Sequence, residues 1–166
     1  KHVDQLRDVA FSPTGRRMAS GGADGKAWLY ELPDTDLATA DIPAIMVSHS
    51  ENHDQISALA FHPTREQWAT SGYDGKLRLW DFAGQLLGTI AMPEKLRVRG
   101  IRLADIAFSP DGQRVATVVG HNVMQWPVDA FKQAQEAGNP TTPEPAIATI
   151  AEGSRAFCSA LKFTAD

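Results

Sequence analysis

Two sets of residues in this chain have the makings of a nucleophile, a base and an orienting acid: His2, Ser20 and Asp24, then His53, Thr70 and Asp74. As one exposed copy, such a set would suit acyl transfer, with the imidazole taking the hydroxyl proton and the carboxylate fixing its tautomer. Two copies at matched positions argue otherwise. A nucleophile needs a single accessible site, whereas a buried hydrogen-bond chain can recur in every module that requires it. The sets are read as architecture, and no catalytic residue is assigned.

Other reactive groups give weaker signals. His49-Ser-Glu-Asn-His53 places two histidines four apart with Glu51 between them. On a helix that spacing puts both imidazoles on one face, as in a zinc site. Here it falls in a loop before a strand, so no metal or other cofactor is expected and one histidine is read as structural. Cys158 is the only cysteine and opens an apolar run, which suits a small core residue and excludes an internal disulfide. Met92–Arg102 carries Lys95, Arg97, Arg99 and Arg102 against a single acid, Glu94. That local excess makes a candidate dock for an acidic peptide or a phosphate group. Nucleic acid is the weaker form of this reading, because no stacking aromatics interleave with the cations. Tyr73, between Gly72 and Asp74, is the other candidate partner-binding residue.

Bulk composition narrows the class. With 16 Lys+Arg against 20 Asp+Glu, the 166-residue chain carries a net charge of −4, which argues against a generally basic nucleic-acid binder. Hydrophobic residues make up 43%, enough for one domain with a real core. No apolar run approaches the roughly 20 residues that span a bilayer, so no membrane association is expected. The lone cysteine favours a reducing, cytoplasmic setting.

The elements that position these residues recur. Ser20-Gly-Gly-Ala-Asp24-Gly-Lys-Ala-Trp-Leu-Tyr30 is answered 50 residues later by Thr70-Ser-Gly-Tyr-Asp74-Gly-Lys-Leu-Arg-Leu-Trp80, and 12 of 29 positions match over residues 4–32 and 54–82. Short β-rich runs end at turns: Leu6–Phe11 before Ser12-Pro-Thr-Gly15, Ile56–Phe61 before Pro63-Thr64, Leu103–Phe108 before Ser109-Pro-Asp-Gly112. Asp24-Gly25 and Asp74-Gly75 are tight hairpin signals, because a primed turn needs residues that tolerate positive φ. Further apolar runs at 45–47, 86–90 and 147–150 supply a fourth strand to each unit. Asp129–Ala137 reads as a short helix, capped by Asp129 and ended by Gly138. Four-stranded antiparallel units at this period predict an all-β fold, a β-propeller of about three blades plus part of a fourth, with units near 2–32, 45–82, 86–128 and 147–166.

The set Phe108-Ser-Pro-Asp-Gly112, Asp74-Gly75 and Leu79-Trp80-Asp81 resembles the WD-repeat β-propeller family over nearly the whole chain. The resemblance implies a buried His–Ser/Thr–Asp–Trp network in each blade: His2, Ser20 and Asp24 with Tyr30 in the first, and His53, Thr70, Asp74 and Trp80 in the second. The third unit keeps Thr117 and Trp126 but lacks the histidine and the aspartate, so apolar packing should hold it. The resemblance also implies a protein-interaction scaffold, part of a larger protein, with the loops bearing Tyr73 and residues 95–102 on one face. An enzyme or small-ligand site in the central channel is the alternative, and it would need convergent polar groups on the inner strands. Val9-Ala-Phe11 and Leu59-Ala-Phe61 show the alternation of packing instead. Since a closed propeller takes about 4–8 blades, the ring is expected to be completed by further blades, by a second chain or by self-association.

Overall fold

The computed structural model describes residues 1–34, 42–49, 54–96, 103–136, 144–149 and 161–163. They form twelve strands and one helix: β1 (Leu6–Phe11), β2 (Arg17–Gly22), β3 (Lys26–Glu31), β4 (Ala44–Ser48), β5 (Ile56–Phe61), β6 (Gln67–Gly72), β7 (Lys76–Asp81), β8 (Leu86–Ala91), β9 (Leu103–Phe108), β10 (Arg114–Val119), β11 (Asn122–Pro127), α1 (Ala130–Glu136) and β12 (Ala146–Thr149). Three four-stranded antiparallel sheets result: β1–β4, β5–β8 and β9–β12, each an up-and-down meander. The fold is a partial β-propeller of three described blades. The repeat in sequence and the blade in space are out of phase by one strand. The run at 45–47 heads the second repeat unit, yet β4 pairs with β3 and so closes the first blade.

Each blade is built from the same rows. In blade 2, Phe61 lies opposite Trp68 and Trp68 opposite Trp80. The aromatic rings follow this register, with Phe61 and Trp68 centroids 6.4 Å apart and Trp68 and Trp80 also 6.4 Å apart. Each inner strand shows the same break in pairing with its neighbour, at Leu6/Asp8, at Ile56/Ala58 and at Thr117/Val119 opposite β9. A bulge recurring at one place is a built feature that re-aims side chains at the start of the strand. The Trp-Asp signature has its own local function: the Asp81 carboxylate accepts the amides of Ala83 (2.9 Å) and Gln85 (2.7 Å) and fixes the β7–β8 turn.

Among the described residues, two interblade layers make the core. Ala19, Ala27, Leu29 and Val47 of blade 1 meet Ile56, Leu59, Phe61 and Trp68 of blade 2. Ala58, Leu77, Leu79 and Ile90 of blade 2 meet Leu103, Ile106, Phe108 and Trp126 of blade 3. An aliphatic face thus receives the mixed aliphatic and aromatic face of the following blade. The helix α1 covers part of the outer edge of blade 2. Phe131 is 1% exposed and packs over β8, which is possible only because position 88 is glycine: a Cβ there would stand 2.2 Å from the Phe131 carbonyl oxygen.

Candidate interaction surface

The turns β2–β3 and β6–β7 lie on one face with the entries to the next inner strands. In the first blade, His2 Nδ1 lies 3.1 Å from Asp24 Oδ1 and donates to that carboxylate, while its Nε2 lies 2.9 Å from the Ser20 hydroxyl. The Ser20 and Tyr30 hydroxyls are 3.4 Å apart. Asp24 also accepts the amides of Val3 and Lys26 (both 3.1 Å), so the carboxylate closes the turn it sits in. Burial acts to raise its pKa, and these donors outweigh it and hold it below the usual value.

The second blade corrects one assignment. The histidine that joins Thr70 to Asp74 is His49, while His53 lies outside the described residues. His49 Nδ1 is 2.9 Å from Thr70 Oγ1, its Nε2 is 3.1 Å from Asp74 Oδ1, and Trp80 Nε1–H donates to Thr70 Oγ1 at 3.0 Å. Position explains the difference. His49 directly follows β4, and its amide extends that strand's pairing by donating to the Gly25 carbonyl (2.8 Å). It is therefore placed by the outer strand of blade 1, seven residues before β5, whereas His2 stands four residues before β1. The ring enters from the other side, so Nδ1 and Nε2 exchange partners between the two blades. Gly72 leaves the space it fills, since a Cβ there would stand 2.2 Å from His49 Nε2.

Burial keeps His49, 1% exposed, neutral by lowering its pKa. Burial alone would raise the Asp74 carboxyl, but the hydrogen bond from His49 and the Arg78 guanidinium, 2.8 Å away, bring it down to about 2. With a neutral imidazole, Arg78 is the cation that keeps Asp74 ionised. In the third blade the place after β8 that corresponds to His49 holds Met92, 4% exposed, whose amide likewise extends the pairing to the Gly75 carbonyl. Thr117 turns instead to the Asp105 carbonyl, at 2.5 Å.

Tyr73 sits on the turn above this network, 38% exposed, and its amide donates to the Gln55 carbonyl (2.9 Å). The repeat equivalent Ala23 makes the same bond to Gln5, so the turn is a shared device and the aromatic is peculiar to blade 2. Arg7, which the sequence reading passed over, reaches from blade 1 to Gln55 Oε1 (2.8 Å) beside it. Lys95 lies in the 3₁₀ turn Glu94–Leu96, and Leu96 packs on the core between blades 2 and 3. Arg97, Arg99 and Arg102 lie outside the described residues, as does Cys158. Among the described residues, no group of three or more His, Cys, Asp or Glu could hold a metal ion.

The opposite face holds a second histidine that sequence reasoning missed. His62 occupies the place of Ser12 and Ser109 in the turn after the inner strand. Ser12 and Ser109 accept the amides of Arg17 (3.0 Å) and Arg114 (2.9 Å). His62 Nδ1 accepts the amides of Thr64 (3.2 Å) and Arg65 (3.0 Å), and its Nε2–H donates to the Gly112 carbonyl of blade 3 (2.9 Å). The missed signal was a departure from the Phe-Ser-Pro pattern at one position.

The network, the Trp-Asp turn and the meander together decide the family. A family model, WD domain, G-beta repeat, matches residues 1–31 and 45–81. Residues 1–31 and 45–81 are WD repeats. Both matches start before an inner strand and stop at the Trp-Asp position or its equivalent, so the model follows the sequence unit, not the blade. The third blade, built on the same topology, lies outside both matches, in keeping with Met92 and the shortened β10–β11 turn. No curated protein matches the chain. No described helix is long and apolar enough to cross a membrane. WD repeats generally serve as protein-interaction scaffolds.

Proposed function

We propose that this chain is the docking part of a larger WD-repeat assembly and binds a protein partner through the face that carries Tyr73. Tyr73 itself carries the reading. The fold does not require an aromatic there, because Ala23 does the same backbone work in blade 1, yet blade 2 presents a phenol on a turn held by Gln55 and the His49 network. Rigid, half-exposed aromatics beside arginine make effective anchors at protein interfaces. Arg7 lies beside Tyr73 on this face through Gln55, and the family resemblance assigns the basic segment 95–102 to the same face, which suits a partner with acidic or phosphorylated residues.

The test is affinity capture with the complete gene product, repeated with Tyr73→Ala and with Arg97, Arg99 and Arg102 changed to Glu. Loss of the same partner from both variants supports one composite site. Loss from the charge variant alone, with capture that weakens steeply as salt is raised, supports a phosphate or nucleic-acid reader at 95–102. An unchanged partner set in both removes this face from consideration.

We further propose that the three blades belong to a larger ring. Leu6, Val9 and Phe11 of blade 1 are 57, 47 and 62% exposed, whereas Ile56, Leu59 and Phe61 are 0, 4 and 9% and Leu103, Ile106 and Phe108 are 0, 3 and 9%. The preceding blade makes the difference, and an apolar sheet face of this extent calls for a cover.

A further inference from the structure

The inner strands follow an alternating rule. Three residues before the anchor phenylalanine stand Asp8, Ala58 and Asp105, and in the fourth unit the sequence gives Ala160. One place earlier stand Arg7, Ser57, Ala104 and Ser159. Units one and three are thus of an aspartate type, and units two and four both read Ser-Ala-Leu.

The geometry gives the alternation a purpose. Asp8 Oδ1 accepts the amide of Val9 (2.8 Å), and Oδ2 accepts the amide of Leu59 (2.8 Å), the same repeat position in the next blade. Asp105 does likewise, with Ile106 at 2.8 Å and Leu161 at 2.6 Å. One carboxylate therefore serves two inner-strand amides across a junction. At the junction between, Ala58 offers no acceptor, and none is needed because Asp105 already serves Ile106. There the Ser57 hydroxyl donates to the Leu103 carbonyl instead.

We infer that the open face of blade 1 receives a propeller blade of the serine type, one whose inner strand reads Ser-Ala-Leu before its phenylalanine and whose hydroxyl meets the Leu6 carbonyl. This rests on the ring reading above and narrows it. The junction of blades 2 and 3 is the template. Its covered strand is of the aspartate type, as β1 is, with its own amide already served. Its covered residues Leu103, Ile106 and Phe108 correspond to Leu6, Val9 and Phe11. A blade of the aspartate type would bring a redundant carboxylate to Asp8. Burial already raises the pKa of Asp8, and the charge of Asp105 adds to the rise. Like charges in a partly buried site destabilise each other.

The test lengthens the full chain by a second copy of residues 54–96 ahead of Lys1, leaving a connector close in length to the natural 92–102. Hydroxyl-radical labelling read by mass spectrometry reports the cover on Phe11 and Met18. Labelling of Phe11 is expected to fall to the level of Phe108, and Ala58→Asp in the added copy is expected to restore it. Protection with either residue overturns the serine-type preference and leaves the ring reading standing. No protection with either overturns the docking itself. A second measurement avoids the extension. In the chain as it stands, Ala58→Asp is expected to lower the melting temperature by several degrees while Ala58→Ser does not. Equal melting of the two variants overturns the rule.

Discussion

His49 and His53 differ by four positions, and the two are predicted to differ completely in consequence. His49→Ala leaves the Thr70 hydroxyl and the Asp74 carboxylate short of a partner in a site closed to water. The expected cost is about 2–4 kcal/mol in urea unfolding, the penalty of a buried network broken at one member. His53→Ala is expected to change stability by less than about 0.5 kcal/mol. A large loss from His53→Ala with none from His49→Ala would reverse the assignment. The titrations carry a second prediction. His49 and His62 are both held neutral in the fold, so the unfolded chain binds more protons as the pH falls through about 6.5, the ordinary histidine value. Their contribution is full above that value and declines below it. Burial lowers the His62 pKa, and the facing charge, Arg65 on its own turn, lowers it further. Asp74 acts at the other end: its contribution is full above the ordinary carboxylate value and is lost as the pH falls from about 4 toward 2. Stability measured against pH should therefore decline in two steps on acidification. His62→Ser, which restores the hydroxyl of the other blades, should shrink the upper one. An upper step of undiminished size in that variant would leave His62 without a part in it.

Among the elements, α1 offers the sharpest test. Gly88→Ala drives a methyl group into the Phe131 carbonyl, and backbone in that position cannot yield as a side-chain end would. The expected cost is about 1–3 kcal/mol, with faster amide exchange confined to residues 130–136 and β8. Uniform exchange across all three blades would instead make the helix part of the cooperative core. The helix itself was legible in sequence, where the reading Asp129–Ala137 lies within a residue of Ala130–Glu136, while Gly138 lies outside the described residues. Its packing partner was not, because a contact across some forty residues leaves only an inconspicuous glycine in β8. The hairpins at Asp24-Gly25 and Asp74-Gly75 were legible because their turn signal is local. The histidine register was not: the family resemblance pointed to His53, whereas the residue that joins Thr70 to Asp74 is held from the other side, by β4. The blades were legible as a period, but their phase was not, because strand order in sequence does not say that β4 pairs with β3 and leaves β5 free to begin a new sheet.

For the molecule as a whole, the junctions between blades make identical positions unequal. Phe11, Phe61 and Phe108 hold one place in the repeat, and a local account of stability would rank them together. The interblade layers rank them otherwise. Phe61 is 9% exposed, sealed against blade 1 and set edge-on to Phe82 with ring centroids 5.9 Å apart. Phe61→Ala should cost about 3–5 kcal/mol. Phe11, on the uncovered face, loses little burial on truncation, and Phe11→Ala should cost less than about 1 kcal/mol. Its charge variant, Phe11→Glu, should behave in a way that Phe61→Glu cannot. It should leave the melting temperature nearly unchanged and reduce concentration-dependent association, because the apolar face that drives association is broken by one carboxylate. Phe61→Glu should abolish cooperative unfolding. Sedimentation across a range of concentrations, read beside the melting curves, separates the two cases. If Phe11→Glu unfolds the chain as Phe61→Glu does, the face of blade 1 is already covered within the molecule, and the ring reading loses its support.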